Sequence, residues 1–285
     1  MASTFRYNVR RRVISPLLLH AAIWISVIVT LGPVFYTFLT SIKLGRDIIS
    51  GNPWFTPTIN NYRELFTGTR SNFTQLSLNS LIVGLVSSAL ILFVTALAAY
   101  SLSRLRWRPL FSGIIMSWVL FVNMLPPIVF VGPLYLITRS VGIYNTLIAI
   151  ILAHMVLNLP LAFWMLHSFM SEVPIELEEA AAIDGCSRWM IFSRIIVPLI
   201  RPGLAATAVL VFVFSWKDFL FALTLSSTPS AMTMPVGLAS FIQEYNIRYG
   251  EMAAGAFFST IPALILVALA QKHIVKGLTL GALKG

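Results

Sequence analysis

Six long apolar stretches organise the sequence, at about 14–39, 78–102, 110–132, 144–167, 203–225 and 252–271, and charged or polar segments separate them. Each stretch approaches or exceeds the roughly 20 residues that carry a helix across a bilayer's hydrocarbon core. The pattern predicts an all-α membrane protein with six transmembrane helices. Prolines fall inside or at the edges of several of these stretches (Pro33, Pro126, Pro127, Pro160 and Pro262). Membrane helices tolerate such breaks where neighbouring groups satisfy the freed backbone.

Composition agrees with the pattern. Of 285 residues, 58% are hydrophobic and 11% charged, too apolar for a soluble domain of this length. The net charge of +10 would suit nucleic acid, but the basic residues follow the spans. The N-terminus (1–13) carries four Lys or Arg, the 103–109 loop three, the 168–202 loop three and the tail (272–285) three, thirteen on one side. The other side has six, and Lys217 lies inside a span. The side with thirteen is expected in the cytoplasm, with both termini, and the charge is topological. The first apolar run follows Arg10, Arg11 and Arg12 and is too long for a cleavable signal, so it reads as a retained span. A single cysteine, Cys186, excludes an intrachain disulfide. Four scattered histidines give no metal-ligand spacing, and no Walker phosphate loop, zinc-protease motif or nucleophile elbow occurs. These absences point away from a stand-alone enzyme.

The segment 171–200 is the polar exception. Of ten acidic residues in the chain, five (Glu172, Glu176, Glu178, Glu179 and Asp184) fall here within thirteen positions. Pro174 suits a first helical turn, early carboxylates suit the positive end of the helix dipole, and Ala180–Ala182 favour helix. Gly185 permits a sharp turn or close approach by another backbone. Ser187 is placed to cap a second helix, with Trp189, Phe192 and Ile196 on one face, and Pro198 and Pro202 close it. The reading is a short helix–turn–helix with an acidic start and a bare alanine face. A solvated loop accounts for the charges; a docking surface accounts for the small residues and the glycine as well.

Glu179-Ala180-Ala181, three residues, Gly185, nine residues, Ile195, one residue, Val197-Pro198 resembles the cytoplasmic E-A-A motif of ABC-importer permease subunits, with Val197 where Leu is usual. "FTPTINNYRELF" (55–66), "LNSLIVGL" (78–85) and "QKHIVKGLTLGALKG" (271–285) resemble segments of the carbohydrate-importing branch of the maltose-transporter type, the tail pointing to its smaller, MalG-type subunit. The resemblance implies the type I importer fold with cytoplasmic coupling helices, an inner-membrane location and alternating access. It also implies three partners: a MalF-type second permease, a MalK-type ATPase homodimer and an extracytoplasmic solute-binding protein. ATP and Mg would be bound by the ATPase subunits, with no cofactor in this chain. The ATPase-coupling residues it implies are Glu179, Ala180, Ala181, Asp184, Gly185, Trp189, Ile195 and Pro198, with tail contacts at Gly277, Leu278, Thr279, Gly281 and Lys284. Cys186 stands where the family usually has a small residue.

Polar groups inside the spans are the candidates for a substrate pathway: Asn123, Asn158, Trp164, Trp216, Lys217 and Asp218. Amides bind hydroxyls and rings stack on sugar faces; helix-gluing amides and interfacial tryptophans are the ordinary alternative. His154 and His167 read as packing or interfacial residues. For Lys217 two readings stand side by side, snorkelling to the outer interface or facing the bundle interior. A stand-alone secondary carrier or channel built on Lys217 and Asp218 is the rival function; no internal repeat of interrupted spans supports it.

Overall fold

The computed structural model describes residues 16–68, 71–242 and 248–282. The basic segment 1–13 and Lys284 lie outside the described residues. Every regular element among those described is a helix. Helices α1 (Pro16–Ser41), α4 (Phe73–Arg104), α7 (Leu147–Ser171) and α14 (Tyr249–Ala282) each contain an unbroken stretch long and apolar enough to span a bilayer. Two bent pairs make up the six. The first is α5 (Pro109–Met124) followed by a 3₁₀ turn and α6 (Val131–Ser140), bent by 101°. Pro126 and Pro127 force that bend, because neither donates a backbone N–H and each ring excludes helical geometry before it. The expected third span at 110–132 is therefore a helix that ends early and turns sharply.

The second pair separates the cytoplasm-assigned loop from the fifth span. Short helices α8 (Glu176–Ile183), α9 (Arg188–Ile191) and α10 (Val197–Leu199), the last two joined by a π turn at Phe192–Ile196, lead to α11 (Arg201–Trp216), with 75° between Arg188–Leu199 and α11. The Pro198 ring opposes the carbonyl four residues back, at Arg194, and this widens the turn there. Pro198 and Pro202 begin α10 and α11 rather than ending their predecessor. Pro174 precedes α8 instead of sitting in its first turn.

The predicted fifth span also breaks. After Trp216 the chain unwinds for three residues, then resumes as α12 (Leu220–Leu225). A short α13 (Met234–Ala239) follows before α14.

The bundle centre is α4 packed against α7 and α11. Lipid tails are as apolar as leucine, so close backbone approach takes the place of hydrophobic drive. The buried side of α4 supplies it: Gly84, Ser87, Ser88, Thr95, Ala96 and Ala99 recur at helical spacing. The Phe212 ring lies on Gly84, where an added Cβ would come within 2.8 Å. Ser87 donates to Ser215 across the same seam at 3.1 Å. Helix α1 packs on α14 and leaves most of its apolar surface exposed. Two small helices, α2 (Gly45–Ile49) and α3 (Asn60–Thr67), finish the segment after α1. Asn61 donates to the carbonyls of Ser41 and Lys43, both at 2.8 Å, and satisfies the end of α1.

Candidate functional site: the α8–α9 turn and a polar cavity between broken helices

The α8–α9 turn is built by its own sequence. Gly185 has φ +83°, the left-handed region that glycine enters without a Cβ penalty. Cys186 N–H donates to Ala181 O at 3.0 Å and Gly185 N–H to Ala182 O at 3.1 Å, the paired bonds of a Schellman stop. Cys186 follows the glycine, where that motif places an apolar contact back onto the helix, and it packs in the same cluster as Ala181. The thiol is half-buried packing. Ser187 caps α9, accepting from Met190 N–H at 3.3 Å.

A clamp fixes the turn to the bundle. Glu178 is buried and pairs with Arg104 at the end of α4. Tyr100 Oη donates to its other oxygen at 3.2 Å. The Arg104 guanidinium also donates to Met170 O at the end of α7, at 3.0 Å, and to Val173 O just beyond it, at 2.6 Å. One arginine thus joins α4, α7 and α8. Sequence reading had treated Glu178 as part of an acidic start and passed over Tyr100 and Arg104, 74 to 78 residues away in the chain.

The coupling candidates divide by face. Glu179, Ala180, Asp184 and Gly185 are exposed, with Ile183 at 86% and Trp189 at 61%. Ala181 points inward and is buried, and Ile195 and Pro198 are half-buried. The predicted apolar face of the second helix splits: Phe192 and Ile196 pack into the core, while Trp189 stays at the surface with its ring 5.6 Å from that of Phe192. The backbone of Gly277, Leu278, Thr279 and Gly281 continues α14 to Ala282.

The substrate-pathway candidates come together only in part. Asn123, Asn158, Lys217 and Asp218 line one cavity of about 530 Å³, walled by the α5–α6 bend, α7 and the α11–α12 break. His154, a packing or interfacial residue by sequence, lines it too. Trp216 turns away: it stacks on Phe212 and donates Nε1–H to Ser259 O at 2.9 Å, tying α11 to α14. Trp164, half-buried on α7, lies outside the cavity.

Lys217 and Asp218 diverge, as adjacent residues must. Asp218 Oδ2 accepts from Phe221 and Ala222 N–H, both at 3.2 Å, and starts α12. The same oxygen lies 3.3 Å from His154 Nε2. That approach lacks hydrogen-bond alignment, and both ring nitrogens of this buried histidine remain without a hydrogen bond. Lys217 Nζ instead lies over the Phe214 ring, 4.7 Å from its centroid. A helix C-terminus favours a cation by about 0.3–1 kcal/mol. A lysine at a helix centre costs about 2.5–3.5 kcal/mol on insertion scales; Lys217 instead stands at the end of α11 with its side chain exposed.

Loop 226–233 is also pinned from below. Asn79 Nδ2 donates to the carbonyls of Pro229, Ser230 and Met232 at 3.1, 3.2 and 2.8 Å, and Ser80 Oγ accepts from Met234 N–H at 2.7 Å.

The described helices thus form bent and unbroken spans around α4, α7 and α11, with an exposed helix–turn–helix beside them. The chain matches the family described as "Binding-protein-dependent transport system inner membrane component" over residues 93–280. It is 38% identical over 257 residues to the trehalose transport system permease protein SugB of Mycobacterium tuberculosis (strain CDC 1551 / Oshkosh), covering 89% of this chain and 92% of that protein. It is 34% identical over 282 residues to the trehalose/maltose transport system permease protein MalG of Thermococcus litoralis, covering 97% and 99%. Among solved structures, a bacterial ABC transporter involved in the import of the acidic polysaccharide alginate shares the fold, with TM-score 0.75, 21% identity and coverage of 90% of this chain and 95% of that one. The protein belongs to the binding-protein-dependent transport permeases, with the type I importer fold, and is a multi-pass inner-membrane component.

Proposed function

We propose that this chain is one of two permease subunits of an ABC importer that carries a carbohydrate into the cell. The single observation that supports the coupling role most strongly is the α8–α9 turn. It is an exposed, small-residue surface held to α4 and α7 through Glu178 and Arg104. A partner ATPase seated on Ala180, Asp184, Gly185 and Trp189 would move α8, and the clamp would pass that movement to the bundle. The substrate class rests on the similarity to trehalose and trehalose/maltose permeases over nearly the whole chain. In this reading the turn and both termini are cytoplasmic, by the distribution of Lys and Arg. ATP and Mg reside in a MalK-type dimer, a MalF-type permease completes the pathway, and an extracytoplasmic binding protein delivers the sugar. Alternating access follows from ATP-driven closure of the ATPase dimer.

The test is reconstitution of the full complex in liposomes. ATP hydrolysis stimulated by a saccharide-loaded binding protein, coupled to uptake, is the expected result. Nucleotide-independent uptake by this chain alone would instead establish the secondary-carrier alternative.

A further inference from the structure

We infer that the cavity between the α5–α6 bend and the α11–α12 break binds an oxyanion substituent of the transported saccharide, with Lys217 as its counter-ion. This deepens the carbohydrate-importer reading and rests on it.

Three observations carry the assignment. First, the cavity holds a cation that its neighbouring carboxylate does not neutralise. The oxygen of Asp218 nearest the cavity's histidine is engaged by two backbone N–H groups at the start of α12, while Lys217 Nζ contacts a ring face and forms no ion pair with it. Second, the Lys217 side chain, exposed toward the cavity it lines, does not extend away from the bundle. Phe214 lies three residues before Lys217, so Nζ folds back along α11 rather than reaching past its end, the direction snorkelling would require. Third, His154 is buried to 1% exposure, lines the same cavity, and neither ring nitrogen has a hydrogen-bond partner. Buried polar groups left unpaired are uncommon in native folds, and this one sits in the cavity wall 3.3 Å from Asp218.

The remaining wall suits a sugar. Asn123 offers its amide to hydroxyls, Asn158 offers what remains after one N–H goes to His154 O at 3.0 Å, and Phe214 and Phe219 offer ring faces. About 530 Å³ lies within the range of small-molecule sites, roughly 300–1,000 Å³. A neutral sugar filling the cavity would displace water from the exposed Lys217 without supplying a counter-charge. An oxyanion compensates it through a charge-assisted hydrogen bond.

The experiment measures ATP-dependent uptake by the full complex, binding protein included, in phosphatidylcholine liposomes with and without phosphatidylglycerol. The probes are three acidic disaccharides, bearing a uronate, a sulfonate or a phosphate ester, and their neutral parents. At least one acidic probe should be taken up in preference to its neutral parent. Lys217→Gln should reduce that preference about tenfold or more, the scale of a lost charged hydrogen bond, and Lys217→Arg should restore most of it. His154→Phe should lower the affinity for the acidic probe. Four outcomes overturn the assignment. Uptake of neutral saccharides alone by the wild type leaves the importer reading intact and removes the anion site. An unchanged preference in Lys217→Gln does the same. A Lys217→Gln effect confined to phosphatidylglycerol liposomes assigns the lysine to a lipid headgroup. Failure of the wild type to take up any probe with ATP removes both readings.

Discussion

Gly185 has two separable roles, conformation and surface. A Cβ there would meet nothing within 4 Å, so substitution is limited by the positive φ and by whatever docks outside. An L-residue in that conformation costs about 1–2 kcal/mol. Gly185→Ala should therefore keep most transport, while Gly185→Asp, which adds a carboxylate beside Asp184 on the exposed face, should abolish it with membrane insertion intact. Uptake by vesicles, normalised to subunit abundance, compares the two. Equal loss in both variants would mean that backbone strain decides, and the surface role would fall. Arg104 makes a second residue-level case. Removing it leaves Glu178 buried and unpaired, a loss of about 3–5 kcal/mol for a buried pair. Arg104→Met should lower the thermal midpoint of the detergent-solubilised complex, and adding Glu178→Met should recover part of the drop. A double variant no more stable than Arg104→Met would show that the pair does not hold α8.

At the scale of elements, helices broken at proline or at a polar pair shape both sites. The proline pair Pro126–Pro127 was visible in the sequence as a polar break, but not the 101° turn it produces. The break after Trp216 was read as continuous helix because hydropathy runs on through Phe219 and Leu220. Asp218 decides the matter by accepting two backbone N–H groups and starting a new helix. Periodicity also placed Trp189 with Phe192 and Ile196, whereas the widened turn at Phe192–Ile196 leaves it outside. A sharp turn, by contrast, was one of two readings legible at Gly185; its Schellman bonding and the place of Cys186 in it come from the structure. Asn79 shows what sequence hides: its partners lie 150 to 153 residues away. Asn79→Ala removes the donor for three carbonyls that water reaches in part, so the loss falls near a typical net hydrogen bond, about 1 kcal/mol. Limited proteolysis should then cut loop 226–233 faster than in the wild type. An unchanged rate would show that the loop is held by other contacts.

At the scale of the whole molecule, the six apolar stretches and the E-A-A spacing were enough to place the chain among importer permeases. Convergence of Asn123, Asn158, Lys217 and Asp218 was not legible, because it depends on how three broken or kinked helices meet. Trp216, two residues from Asp218, instead joins α11 to α14. The clamp of Tyr100, Arg104 and Glu178 supplies the mechanical continuity that motif spacing cannot reveal. It connects an exposed turn to the two longest-contacting helices of the bundle. The account therefore depends on what that turn touches. A photocrosslinking amino acid placed at Ile183, 86% exposed on the turn, measures this directly in the assembled transporter. The account predicts a crosslink to the ATPase subunit whose yield changes when ATP binds. A complex that transports normally while position 183 never crosslinks to the ATPase in any nucleotide state would contradict it.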